Sequence, residues 1–164
     1  MKILNILFSS FMLLSTYASA DISGNAPDFE LSGTLAGKTE KVKLSDYRGQ
    51  VVYLDFWASW CSPCRDSFPW MNEMQAKYKE KSVTFIAINV DRKQKDAKAF
   101  LVKTPAEFLI AFDSKGKTPG QYGVMGMPSA FVIGKDGNIL HSHIGFHKNN
   151  LAEYEAHIQQ ALTH

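Results

Sequence analysis

Asp55-Phe56-Trp57-Ala58-Ser59-Trp60-Cys61-Ser62-Pro63-Cys64 is a strand-to-helix junction that carries both cysteines of the chain. An apolar, β-type run from Val51 to Trp57 stops at Ala58-Ser59, and a helix-compatible segment follows from about Ser62. A strand therefore delivers two cysteines to the start of a helix. Unpaired N–H groups and the positive end of the helix dipole favour a thiolate there over a thiol. Cys61 is the expected nucleophile. Cys64, one turn further in, can reach back to Cys61, so the pair can close a small reversible disulfide and Cys64 can resolve a mixed disulfide by exchange. Pro63, near the first helical position, presets φ and removes an N–H that would otherwise be unpaired.

A C-x-x-C alone is ambiguous with half of a zinc site, but this one follows an aromatic-rich strand and the chain has no second C-x-x-C. In that setting the stretch resembles the thioredoxin superfamily. The wording D-F-W-A-S-W-C-S-P-C resembles its TlpA/ResA-like branch of bacterial envelope thiol-disulfide oxidoreductases. The resemblance covers nearly all of the chain beyond its N-terminal segment. It implies an α/β thioredoxin fold, with a mixed central β-sheet flanked by helices, an N-terminal extension and a helix-strand insertion. It also implies protein disulfides and dithiols as substrates, with no organic cofactor and no metal. A reductase working in an oxidising compartment must be recharged, and the resemblance names a membrane thiol-electron donor for that.

The 164 residues suit one domain with a sizeable core. Met1-Lys2, an apolar run from Ile3 to Leu14 and the ending Ala18-Ser19-Ala20 read as a secretory signal peptide over residues 1–20, cleaved before Asp21, leaving a single domain over 21–164. An uncleaved anchor is the rival, but the run is shorter than the roughly 20 residues a spanning helix needs and is interrupted by Asn5, Ser9 and Ser10. A periplasmic location is expected. Basic residues number 18 against 16 acidic, and removing Lys2 leaves 17 against 16, a balance that points to no nucleic-acid or membrane-surface partner. With its only two cysteines in one motif, the chain has no disulfide scaffold. No dimerisation arm is evident, so a monomer is expected.

Before the junction, Asp21 to Ala26 reads as a flexible lead-in and Ala26 to Leu31 as an extended segment favoured by the X-Pro step. Gly33 and Gly37 are expected to flank a turn, Lys41 to Leu44 to form a half-buried strand, and Ser45 to Gly49 a capped helical turn. After it, Phe68, Met71, Met74, Gln75 and Tyr78 fall at helical spacing to about Lys79, with Pro69 inside the helix. A buried strand is expected over 82–90, an exposed helix over 92–102 with Ala97, Phe100 and Leu101 inward, and a short strand over 107–112. A short helix around Pro119 to Tyr122, a hairpin over 129–144 and a terminal amphipathic helix over 149–162 complete the pattern.

Asp55 lies six residues before Cys61 on a strand whose neighbours are apolar. A carboxylate there is costly unless used or hydrated, and burial would raise its pKa towards the range useful for moving protons. The resemblance assigns this position proton transfer for Cys64; the bland alternative is a carboxylate reaching solvent at a strand edge. Pro128, preceded by Met127, matches the proline that thioredoxin-like folds hold in cis opposite the C-x-x-C, where the Met127 backbone would pair with an extended substrate. Trp60 is expected to shield the nucleophile and offer an apolar docking surface, Trp57 to be core, and Trp70 either. Many branch members linked to cytochrome c maturation carry a glutamate three residues after the second cysteine, where this chain has Ser67, which argues against that specific task. Two other functions stay open. The same chemistry can run as a disulfide oxidant or isomerase, and Cys61 and Cys64 with His141, His143 and His147 could make a copper-binding module.

Overall fold

The computed structural model describes residues 24–164; the expected signal peptide and its cleavage site lie outside the described residues. In chain order the strands are β1 (Gly24–Asn25), β2 (Glu30–Leu35), β3 (Lys38–Lys43), β4 (Val51–Trp57), β5 (Val83–Asn89), β6 (Leu109–Phe112), β7 (Ser129–Ile133) and β8 (Asn138–Ile144). The helices are α1 (Cys64–Tyr78), α2 (Gln94–Lys103), α3 (Lys117–Gln121) and α4 (Leu151–Thr163), with 3-10 turns at Leu44–Tyr47 and Lys148–Asn150. All eight strands join one sheet in the order β1-β8-β7-β4-β5-β6-β2-β3. The pairs β4/β5 and β5/β6 are parallel and the others antiparallel, so the sheet is mixed as expected.

Every residue of β4 is buried. That is why its sequence runs apolar without alternation: both faces are covered, as in any central strand flanked on two sides. Val51, Tyr53 and Trp57 enter one apolar cluster together with Phe68, Met71 and Met74 of α1, Phe100 of α2 and Tyr154 and Ile158 of α4. Val52, Leu54 and Phe56 enter a second with Ala26, Phe29, Leu44 and Tyr122. The flanking is thus uneven. The three long helices feed one cluster, while the N-terminal segment and the residue closing α3 seal the other. Trp57 packs against Phe68 (4.9 Å between ring centroids) and Phe100 (4.8 Å), so it is core, and Trp70, 5.4 Å from Tyr53, is core as well.

Two local expectations are corrected by long-range pairing. Gly24 and Asn25 are not a loose lead-in but pair with Ile139 and Asn138 of β8, and the Ala26 N–H donates to the Gly137 carbonyl (2.9 Å). Gly33 does not flank a turn; it lies inside β2, level with Glu40 of β3 and Ala111 of β6. A Cβ there would collide with the Ile110 carbonyl oxygen and stand 2.7 Å from a Val42 methyl, so glycine is what lets β2 join both neighbours. The turn is Ala36-Gly37, both at positive φ. The segment expected as a helix-strand insertion forms α2 and β6. Among the described residues no helix is long and apolar enough to cross a membrane.

Candidate active site

β4 ends at Trp57, and four residues later the chain reaches Cys61. The Cys61 N–H donates to the Ala58 carbonyl (3.1 Å), which turns the backbone towards α1. Pro63 takes helical φ and ψ as the residue just outside α1, which begins at Cys64 rather than at Ser62. Cys61 and Cys64 form a disulfide, with S–S 2.08 Å and Cα atoms 5.4 Å apart. The Cys64 N–H points at the Cys61 sulfur (3.3 Å), one of the unpaired donors of a helix start aimed at the atom that must carry charge in the reduced protein. Cys61 is 4% exposed and Cys64 fully buried. Of the two cysteines only Cys61 keeps any surface open to solvent. Ser67 is buried and its hydroxyl donates to the Cys64 carbonyl (3.1 Å), which uses the position for helix packing rather than charge.

Asp55 is 2% exposed and flanked in the sheet by Ala87 and Ala130. Two-residue periodicity along β4 turns it to the face of Tyr53 and Trp57, the face whose cluster contains Cys61 and Cys64. Its Oδ2 has no hydrogen-bond partner among the described residues, and burial holds the carboxyl well above the usual carboxylate range. It does not reach solvent at a strand edge. The Met127-Pro128 peptide is cis. Pro128 is buried, and because Ser129 is level with Phe56, the antiparallel register carries Met127 and Pro128 to the end of the sheet where Cys61 lies. Among the described residues the Met127 N–H and carbonyl make no backbone hydrogen bond, whereas the Pro128 carbonyl accepts from the Gly145 N–H (2.7 Å). Trp60 is 71% exposed beside the nearly buried Cys61.

The family model for redoxin matches residues 22–158. The chain belongs to the redoxin family. Over 135 residues this redoxin is 38% identical to thiol-disulfide oxidoreductase ResA of Bacillus thuringiensis subsp. konkukian, across 82% of this chain and 76% of that one. It is 34% identical over 145 residues to the thioredoxin-like protein YneN of Bacillus subtilis, across 84% and 82%. A Chlorobium tepidum crystal structure, assigned as a thiol:disulfide interchange protein DsbE, superposes with a TM-score of 0.81 at 54% identity, covering 87% of this chain and 98% of that one. The thioredoxin fold, the enzyme class and the ResA-like resemblance read from the C-x-x-C stretch are therefore met. The protein is a thiol-disulfide oxidoreductase with a Cys61–Cys64 couple.

His141, His143 and His157 of this redoxin pack their rings between β8 and α4. His141 stacks on His157 (4.0 Å between centroids) and His143 on Tyr154 (4.1 Å), while the His147 N–H donates to the Tyr154 hydroxyl (3.2 Å). His143 Nε2 also lies 3.3 Å from the Tyr53 hydroxyl. Among the described residues no group of three or more His, Cys, Asp or Glu is arranged to hold a metal ion. Burial, reinforced by His157 and His147, lowers the His143 pKa from 6.5 to about 4. The unfolded chain therefore binds more protons than the folded one between those values, and the stability that neutral His143 contributes is complete above pH 6.5 and lost as pH falls towards 4. Replacing His143 by Phe, which keeps a ring against Tyr154, should reduce the loss of stability on going from pH 7 to 4.5, read as the shift in urea midpoint.

Four site features escaped the sequence reading. Met125 (88% exposed) and Ile144 (58%) are exposed apolar side chains at the Met127-Pro128 loop. Ile144 is level with Ser129, and its Cγ2 would stand 3.2 Å from a Cβ at Gly126, so it abuts the Met127-Pro128 loop. Neither stands in a periodic pattern, so only their exposure marks them. Asn89, the buried last residue of β5, braces Asp91 just beyond it, and Asp91 accepts from Ser59 in the loop before Cys61; an N-x-D at the end of an apolar strand was the available signal.

Proposed function

We propose that this oxidoreductase is a periplasmic disulfide reductase of exported proteins. The Cys61 thiolate attacks a substrate disulfide, forming a Cys61 mixed disulfide and releasing one substrate thiolate, which takes up a proton. Cys64 then loses its proton to the Asp55 carboxylate and attacks the Cys61 sulfur, closing the Cys61–Cys64 disulfide and expelling the second substrate thiolate, which takes up that proton. Two thiols of the enzyme are oxidised and one substrate disulfide is reduced to two thiols. The substrate lies against Trp60 and along Met127-Pro128, where the Met127 N–H and carbonyl can pair with an extended segment. The chain works as a monomer and is recharged by a membrane thiol-electron donor.

The observation that carries this function is the Cys61–Cys64 pair at a helix start with the buried, unpaired Asp55 on the same face behind it. Burial makes Asp55 a weaker acid, so its carboxylate, once the carboxyl has given up its own proton, is a stronger base for the Cys64 proton than an exposed one. The export reading rests on the signal-like residues 1–20, and the reductase direction on the resemblance to envelope relatives. Equilibration of the couple against glutathione or a dithiol buffer tests the direction. A potential near the roughly −270 mV of thioredoxin is expected; one near the roughly −120 mV of a strong periplasmic oxidant would make the protein a disulfide donor. A fusion of residues 1–23 to a reporter active only after export tests the location, and an inactive reporter would overturn it.

A further inference from the structure

Asp91 is a buried carboxyl that the exchange cycle does not use. Parallel pairing of β4 with β5 runs to Trp57 level with Asn89 and is prolonged by the Val90 N–H donating to the Trp57 carbonyl (3.0 Å). Two residues beyond each strand end, Ser59 and Asp91 are therefore neighbours. The Ser59 N–H donates to Asp91 Oδ2 (3.0 Å) and the Ser59 hydroxyl to Oδ1 (3.0 Å). Asn89 braces the acceptor: its Nδ2 donates to Asp91 Oδ2 (2.8 Å), and its Oδ1 accepts the Asp91 N–H (3.0 Å). Asp91 is 6% exposed and Asn89 1%, so water competes little for these bonds. The clamped loop is the one whose Ala58 carbonyl holds the Cys61 N–H.

We propose that Asp91, braced by Asn89, is a positioning residue: through Ser59 it fixes the loop so that the Cys61 sulfur sits against the Cys64 N–H and the start of α1, where its thiolate is stabilised. The inference rests on Cys61 being the nucleophile of the cycle above. Its sign is distinctive. If Asp91 acted through its charge alone, neutralising it would favour the Cys61 thiolate, so a clamp and a bare charge push the Cys61 titration in opposite directions.

The test measures the pH dependence of iodoacetamide alkylation in the Cys64→Ser background, where Cys61 is the sole thiol. With Asp91→Asn, which cannot keep all three accepted hydrogen bonds, the midpoint should move to higher pH and the rate at pH 7 fall about tenfold, the size of one hydrogen bond to a charged group. Ser59→Ala, which changes no charge, should move it the same way by less, and the double variant should add little to Asp91→Asn alone because the two share bonds. An unmoved or lowered midpoint in folded Asp91→Asn overturns the clamp. If Asp91→Asn does not fold, an unmoved midpoint in Ser59→Ala overturns it instead. A wild-type protein that reduces no disulfide while these shifts appear removes the exchange cycle and leaves the clamp standing; an active wild type with unshifted variants removes the clamp alone.

Discussion

Replacing Cys64 by serine should stop turnover and accumulate a covalent adduct between Cys61 and the substrate, visible on a non-reducing gel and released by dithiothreitol. Replacing Cys61 by serine should lower exchange to the uncatalysed background and give no adduct. The asymmetry follows from burial. Cys64 has no exposed surface, while Cys61 is 4% exposed, so a disulfide on another protein can be attacked only from Cys61. In the second step Cys64 attacks the Cys61 sulfur and expels the substrate sulfur, and without Cys64 the protein has no other thiol to do so. An adduct formed through Cys64, with Cys61 replaced, would reverse the two roles.

Asp55→Asn should slow resolution of the mixed disulfide by about a hundredfold or more, the lower range for loss of a positioned general base, with attack by Cys61 little changed. A single-turnover assay that follows formation and decay of the mixed disulfide separates the two steps. Equal slowing of both would assign Asp55 a structural task. The same carboxyl is a burden to the fold. Its Oδ2 is buried without a partner, and burial raises its pKa well above 3.8. The folded protein thus holds a proton that the unfolded chain releases above pH 3.8, so the cost of this acid is absent below that value and grows as pH rises through the window up to its folded pKa. Asp55→Leu should therefore raise unfolding stability at pH 7 by about 1–3 kcal/mol, measured by denaturant titration, while abolishing activity. His143 slopes the other way, losing stability as pH falls from 6.5 towards 4, so the two partly cancel in the wild type and each single variant exposes the other.

Much of the site was legible because it is local. Cys61, Cys64 and the helix start lie within a few residues, and the positions of Phe68, Met71, Met74, Tyr154 and Ile158 follow one helical period, so spacing suffices to place them. Asp55 stood out because an acid in a fully apolar run needs an explanation, and at 2% exposed it does not have the one of reaching solvent at a strand edge. The sense in which Gly33 is used was not legible: a glycine between two short strands has the same appearance whether it turns the chain or lets a third strand approach, and only the carbonyl of Ile110 distinguishes them.

From its own order, then, this chain determined a C-x-x-C on a strand-to-helix junction, a buried acid behind it and a mixed α/β framework, since each depends on contacts between near neighbours or on periodicity. Pairing across the sheet settled the rest. That Gly24 and Asn25 close one edge on β8, that Met127 and Pro128 arrive beside Cys61, and that Asp91 clamps Ser59 across 32 residues of sequence all depend on strand register. Register is set by how every side chain packs at once, and no single stretch carries that information.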